Sequence, residues 1–253
     1  MISIIADTHT HTIVCDHAFS TLRENITVAA QKGLKAIAMT EHGPALLGAP
    51  TKIHFDTLVF LPRYMQGVMI LRGAEANIVN FDGALDLDER RLGNLEWVIA
   101  SYHYLAISPG TEAEHTRGWM NIANNPNIDV IGHPDDPRYP FDFKTVIKEF
   151  ARAGKMVEIN GHSPLGRPGS EKNGKVIATL CAEYGVSVVV SSDAHYCDQI
   201  GHFGPGTALL QEIGFPEELI VNADYDRFVT KAREVSGKTL DDNEKSLYMG
   251  GPE

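Results

Sequence analysis

Met156-Val-Glu-Ile-Asn160 and Val186-Ser-Val-Val-Val-Ser-Ser192 are two short apolar runs, and one helix-like stretch, Glu171 to Tyr184, lies between them. Runs of this length, rich in β-branched residues, read as buried strands. Strand, helix and strand together make a βαβ unit, whose strands pair in parallel. Working upstream, Asp142 to Ala153 reads as a helix, Asp129 to His133 as a strand, and the stretch through Trp119 and Met120 as another helix. Trp97 to His103, Val68 to Glu75, Ala36 to Thr40 and Ile2 to Ala6 are four further runs. Thr21-Leu-Arg-Glu24 has the form of a capping box opening a helix that ends at Gly33. Pro62 interrupts the stretch before Val68, and Asp82-Gly83 marks a hairpin-like insertion between Ile78-Val79 and Leu85-Asp86.

Downstream, a helix is expected near Tyr225 to Val235, followed by a polar tail. Seven parallel runs predict an α/β fold, a TIM-like (β/α)7 barrel forming a single domain over residues 1–235, with residues 236–253 as the tail. Eight strands result if Leu219 to Val221 joins, and an open doubly wound sheet is the alternative. A barrel brings every C-terminal strand end to one mouth, where barrel enzymes carry their chemistry.

The composition suits such a core. Of 253 residues, 43% are hydrophobic and 22% charged, close to soluble globular averages. The first residues, Met1-Ile-Ser-Ile-Ile-Ala-Asp7, lack a basic region followed by a long apolar one, and no run of about 18 apolar residues occurs, so neither signal peptide nor membrane span is expected. Cys15, Cys181 and Cys197 are scattered and odd in number, which fits a reducing, cytoplasmic setting. The net charge of −11 argues against long nucleic acids and anionic membranes as partners. It leaves a phosphorylated substrate open, because bound metal ions reverse the field locally.

The histidines fall where the strands end. His9 and His11 follow the first run, with His17 in the same loop, and His42 follows the second. Glu75 ends the third run, His103 the fourth and His133 the fifth, while Asp193 and His195 follow the seventh. In His9-Thr-His11 the two imidazoles point the same way if the chain is extended, and Asp193-Ala-His195 repeats that spacing. A lone pair of this kind is weak evidence, and His54, His115, His162 and His202 read as surface or core residues, with His162 in a loop that reaches towards the mouth. Nine candidate ligands on one face are a different matter. They exceed what one metal uses and suit three divalent ions sharing a bridging carboxylate. Imidazole with carboxylate suits zinc first, with manganese or iron as alternatives.

Asp7-Thr-His9-Thr-His11, Thr40-Glu-His42-Gly, Gly73-Ala-Glu75, Ser101-Tyr-His103, Gly132-His133-Pro and Ser192-Asp193-Ala-His195 occur in that order. This set resembles the PHP (polymerase and histidinol phosphatase) family, closest to the stand-alone bacterial phosphatases of the YcdX type. The resemblance implies a distorted seven-stranded barrel and a phosphatase acting on a small phosphorylated substrate, with a homotrimer as one assembly. It implies that His9, His11, Glu75 and Asp193 hold a first metal. Glu75, His103 and His133 hold a second, and His17, His42 and His195 a third. Asp7 is expected to orient a ligand histidine, Arg167 to bind phosphate or the leaving group, and Asp193 to double as a leaving-group acid. Two other readings stand beside it. An amidohydrolase-like hydrolase also begins with His-x-His but commonly needs a modified lysine where His103 stands, and a non-catalytic metal-binding module needs no complete ligand set.

Overall fold

The computed structural model describes residues 2–236; the expected polar tail, apart from Ser236, lies outside them. Eight strands form: β1 (Ala6–Thr10), β2 (Ala36–Met39), β3 (Tyr64–Met65), β4 (Val68–Asn77), β5 (Trp97–Ser101), β6 (Val130–Ile131), β7 (Met156–Asn160) and β8 (Val188–Ser191). The helices are α1 (Leu22–Gln31), α2 (Lys52–Thr57), α3 (Glu89–Leu92), α4 (Glu112–Ala123), α5 (Phe143–Ala153), α6 (Ser163–Gly166), α7 (Ser170–Tyr184), α8 (Gly204–Glu212) and α9 (Tyr225–Ser236). The Thr21–Glu24 capping box opens α1, and Thr111 with Glu114 builds a second one at α4. Asp142 caps α5, which stops at Gly154 in the left-handed region, φ 68°.

Hydrogen-bonded neighbours run β1-β2-β4-β5-β6-β7-β8, every pair parallel, so seven strands are the staves of a nearly closed barrel. The short β3 is an addition the apolar runs do not signal. It folds back antiparallel on the start of β4 through Gln66-Gly67, both at positive φ. Among the described residues no helix is long and apolar enough to cross a membrane.

The inward face of each stave changes character along its length. Ala6, Ala36, Ala38, Met69, Leu71, Trp97, Ile99, Val130, Met156 and Val189 pack together inside the lower barrel, and Phe228 of α9 closes it from below. Further up, two residues on in β5, β7 and β8 and four in β4, the same faces carry Ser101, Glu158, Ser191 and Glu75, all buried. Alternate residues, such as Ala74, Val98, Ile131, Val157 and Val190, face the helices. The barrel floor is therefore apolar and its mouth ionisable, and the chain keeps both on one column per strand.

In β1 this column is reset by a bulge. Asp7 is opposite Ile37 but Thr10 is opposite Met39, so two residues of β1 pass one residue of β2. Without that extra residue His9 and His11 would share the face opposite Ala6 and point outwards. The bulge turns both rings into the barrel.

The joint between β8 and β1 has no continuous ladder. At the mouth, Thr10 and Ala194 form a single bridge and His11 N donates to Ala194 O at 2.9 Å. Lower down, the fully buried side chain of Asn222 fills the gap. Its Oδ1 accepts from Val190 N at 3.0 Å, and its Nδ2 donates to Ala6 O at 2.9 Å and Val190 O at 2.7 Å. The optional eighth strand is reduced to one bridge, Ile220 with Val188, between two 3-10 turns at Glu217–Leu219 and Val221–Ala223. Removing the Asn222 amide leaves buried backbone groups unpaired. Asn222→Ala is expected to lower stability by about 2–4 kcal/mol, read from the urea midpoint; a change under about 0.5 kcal/mol would mean that packing alone closes the joint.

Candidate metal centre

Glu75 is fully buried at the mouth end of β4 and is fixed there by backbone. Glu75 N donates to Glu41 O at 3.0 Å, and Gly43 N donates to Glu75 O at 2.8 Å, which sets Glu75 beside His42. Five imidazoles surround its carboxylate. Oε2 lies 3.2 Å from His9 Nε2, 3.6 Å from His11 Nε2 and 2.6 Å from His42 Nδ1. Oε1 lies 2.8 Å from His133 Nε2 and 3.2 Å from His103 Nε2.

Asp193 completes one corner, its Oδ1 3.6 Å from His9 Nε2 and 3.3 Å from His11 Nε2, with those two nitrogens 3.1 Å apart. Ligands about 2.1 Å from a tetrahedral zinc stand about 3.4 Å from each other, so His9, His11, Glu75 and Asp193 are spaced as one ion requires. His17 Nε2 lies 3.1 Å from His42 Nε2, and the His195 ring stacks on His11 at 4.3 Å and lies tilted against His17 at 4.8 Å between centroids. His42 thus faces Glu75 with one nitrogen and His17 with the other. All nine expected donors meet at this mouth.

The donors are aimed by their outer partners. His9 Nδ1 donates to Glu158 Oε1 at 2.6 Å, which turns Nε2 towards Glu75 and Asp193. His103 Nδ1 donates to Asn77 Oδ1 at 2.7 Å and His195 Nδ1 to Asp193 O at 2.9 Å. Asn160 Nδ2 donates to Asp193 Oδ2 at 3.1 Å. His133, φ 27°, and Asp193, φ 53°, both hold their backbone in the left-handed region, a strained conformation that clusters at functional sites. Gly132 allows the approach at His133, because a Cβ there would sit 2.1 Å from Ser101 Oγ.

Glu158 is the residue that sequence reasoning missed. Beyond His9, it accepts from His133 N at 2.7 Å and from the Ser191 hydroxyl. The signal was present: a carboxylate in the middle of a fully buried strand must have partners. Asp7, expected to orient a ligand histidine, does something else. Its side chain points away from the donors, because it precedes the bulge, and accepts from Ser192 N at 3.0 Å and Gly201 N at 2.8 Å. It pins the loop that carries Asp193 and His195. Burial pushes its carboxyl up to about 6, against those hydrogen bonds.

Charge in the centre is sorted by position. For Glu75, burial opposes ionisation, but His103, His9 and His42 outweigh it and hold the carboxyl well below the usual range. Asp193 is held low in the same way, by His9, His11 and Arg167 against burial. His9 is held well above the usual imidazole value, since Glu158, Glu75 and Asp193 overcome its burial. His11 goes the other way: burial, then His42 and His195, push it well below.

Arg167 is no solvent-exposed loop arginine. Its side chain is 10% exposed, and Nη2 donates to Asp193 Oδ2 at 3.1 Å. Nη1 donates to Ser163 Oγ at 3.3 Å, and that hydroxyl donates to Asp135 Oδ1 at 2.9 Å. A cavity of about 700 Å³ opens over the donors and is lined by Arg167, His162, Tyr104 and Arg138 as well. His115 is a buried structural residue, bonded to Pro140 O and Gly110 N, and His202 is exposed.

The sequence profile of the PHP domain matches residues 7–162, which spans β1 to the start of the loop carrying Arg167. The chain belongs to the PHP domain family. Among its curated relatives, a probable phosphatase of Acetivibrio thermocellus is 42% identical over 88% of this chain and 93% of its own length. A probable phosphatase of Caldanaerobacter subterraneus is 44% identical over 88% and 89%. The crystal structure of a histidinol phosphate phosphatase from Lactococcus lactis, complexed with zinc, L-histidinol and phosphate, superposes with a TM-score of 0.58 at 17% identity, covering 83% of this chain and 94% of that one. That likeness shows a shared fold.

Because Glu158 aims His9, replacing it is expected to loosen the PHP donor set. Glu158→Ala should weaken retention of divalent metal about 10- to 100-fold in chelator competition. Unchanged retention would show that packing alone orients His9.

Proposed function

We propose that this PHP-domain protein is a metal-dependent phosphatase that hydrolyses small phosphomonoesters at a centre of three divalent ions. The observation that carries this reading is Glu75: at full burial, its two oxygens address two different sets of imidazoles. His9, His11, Glu75 and Asp193 would hold one ion, Glu75 with His103 and His133 a second, and His17, His42 and His195 a third. These donors suit zinc, and the same set accepts manganese or iron. The zinc in the Lactococcus structure and the names of the curated relatives support the reading. The amidohydrolase alternative lacks its lysine, since His103 stands beyond β5 at that place.

Bound divalent ions would supply a water of lowered pKa at neutral pH and neutralise charge on the phosphoryl group. In the reaction the water oxygen joins phosphorus, the ester P–O bond breaks, and a proton passes to the leaving alkoxide. Arg167 would hold a phosphoryl oxygen with the guanidinium hydrogens that Asp193 and Ser163 leave free. Asp193 accepts from Arg167 and Asn160 at Oδ2 and would turn Oδ1 to the first ion. The three free cysteines fit work in the cytoplasm.

Two tests follow. Elemental analysis should find about three metals per chain, and turnover of p-nitrophenyl phosphate should vanish on chelation and return with metal; a metal-replete protein with one ion or none and no turnover would overturn the reading. Arg167→Met should lower kcat/KM about 10- to 100-fold, the loss of a hydrogen bond to a charged group, with metal content retained. An unchanged kcat/KM would remove Arg167 from the site.

A further inference from the structure

The loop after β6 carries more than a metal donor. It reads His133-Pro-Asp-Asp136-Pro-Arg138, and it is folded tightly on itself. Asp136 N donates to His133 O at 3.3 Å, and Tyr139 N donates to Asp136 O at 3.1 Å. The Asp136 carboxylate is buried, 4% exposed, and holds Arg138 along one edge. It accepts from Arg138 Nε at 2.9 and 3.0 Å, from Nη2 at 2.6 Å and from the backbone N at 3.0 Å. The guanidinium also lies over the Tyr104 ring, 4.8 Å from its centroid. Arg138 is therefore fixed in three directions although its side chain is 40% exposed.

That arrangement uses two of the five guanidinium N–H groups, the one on Nε and one on Nη2. Nη1 and the second hydrogen of Nη2 form a planar edge with no protein partner among the described residues. Arg138 lines the cavity over the donors together with His103, Arg167 and Asp193. A planar two-donor edge matches a carboxylate in bidentate fashion. Asp136 already neutralises one charge, so a singly charged planar anion suits the remaining field better than a dianion. Tyr104 and Leu105, 56% and 55% exposed, give the same wall an apolar surface for a short carbon stem.

We propose that Arg138 is a specificity-determining residue whose free guanidinium edge receives a carboxylate on the leaving group, which makes small phosphorylated carboxylic acids the preferred substrate class. The proposal rests on the phosphomonoesterase reading above. Arg167, paired with Asp193, serves the phosphoryl end, and Arg138 the far end.

The test compares substrates that differ only at the carboxylate: 3-phosphoglycerate against glycerol 3-phosphate, and phosphoserine against phosphoethanolamine. The metal-loaded wild-type protein should favour the carboxylate member of at least one pair by about tenfold or more in kcat/KM, the worth of one charged hydrogen-bonded contact. In Arg138→Gln that ratio should fall to within about twofold. The free alcohols provide a binding readout: D-glycerate should inhibit the wild type more strongly than glycerol does, and the variant should lose that difference. No preference in the wild type, or a preference that survives in the variant, overturns the assignment to Arg138 while turnover of p-nitrophenyl phosphate leaves the phosphatase reading standing. Absence of turnover with every phosphate ester, p-nitrophenyl phosphate included, overturns both.

Discussion

A carboxylate stripped of water and ringed by imidazoles is the constraint on which the mouth of this barrel depends. Glu75 is buried completely, and an ionised carboxylate there is tolerable only with compensating charge close by. The chain meets that requirement with five histidines drawn from the loops or strands at β1, β2, β5 and β6. Two of the rings are in turn held by a partner of their own, Glu158 behind His9 and Asn77 behind His103. The order of construction runs outward from one oxygen pair. A fault in either outer partner is felt at Glu75, because all five rings meet there.

The residue types and their places in the chain made the centre readable before any coordinates. Histidines and carboxylates recur at the ends of apolar runs, and parallel pairing leaves those ends no choice but a common face. What could not be read were features that depend on a neighbouring strand. The β1 bulge is invisible in Ala-Asp-Thr-His-Thr, since only the register against β2 shows that two residues pass one. The outcome, two inward rings, was legible from their spacing; the side of the sheet was not.

Asp7 and Glu158 illustrate the same limit from opposite directions. Asp7 is close to His9 in sequence, which suggested that it serves that ring, but the bulge separates their faces and sends Asp7 to Ser192 and Gly201. Glu158 is 149 positions away from His9 and touches it. Local proximity predicted the wrong partner because pleating, not distance along the chain, decides which side chains meet. The seven staves followed from the apolar runs alternating with helix-like stretches, whereas the antiparallel flap β3 is too short to leave a periodic signal. The segment at Leu219 to Val221 was ambiguous for a physical reason: it sits in the joint but pairs at one residue only.

The joint itself determines when this protein can become itself during synthesis. Asn222 and Ala6 are 216 positions apart, and the first and last staves are brought together by that amide and by the strand ends above it. His9 and His11 stand on one side of the joint, Asp193 and His195 on the other. The first stave emerges from the ribosome with two rings of the centre, pairs early with β2, and waits until β8 and Asn222 are made before it acquires its second neighbour. Contacts of such separation form late. A cation gripped across that joint would act as a clasp on the closed barrel, so that assembly of the centre and completion of the fold become one event.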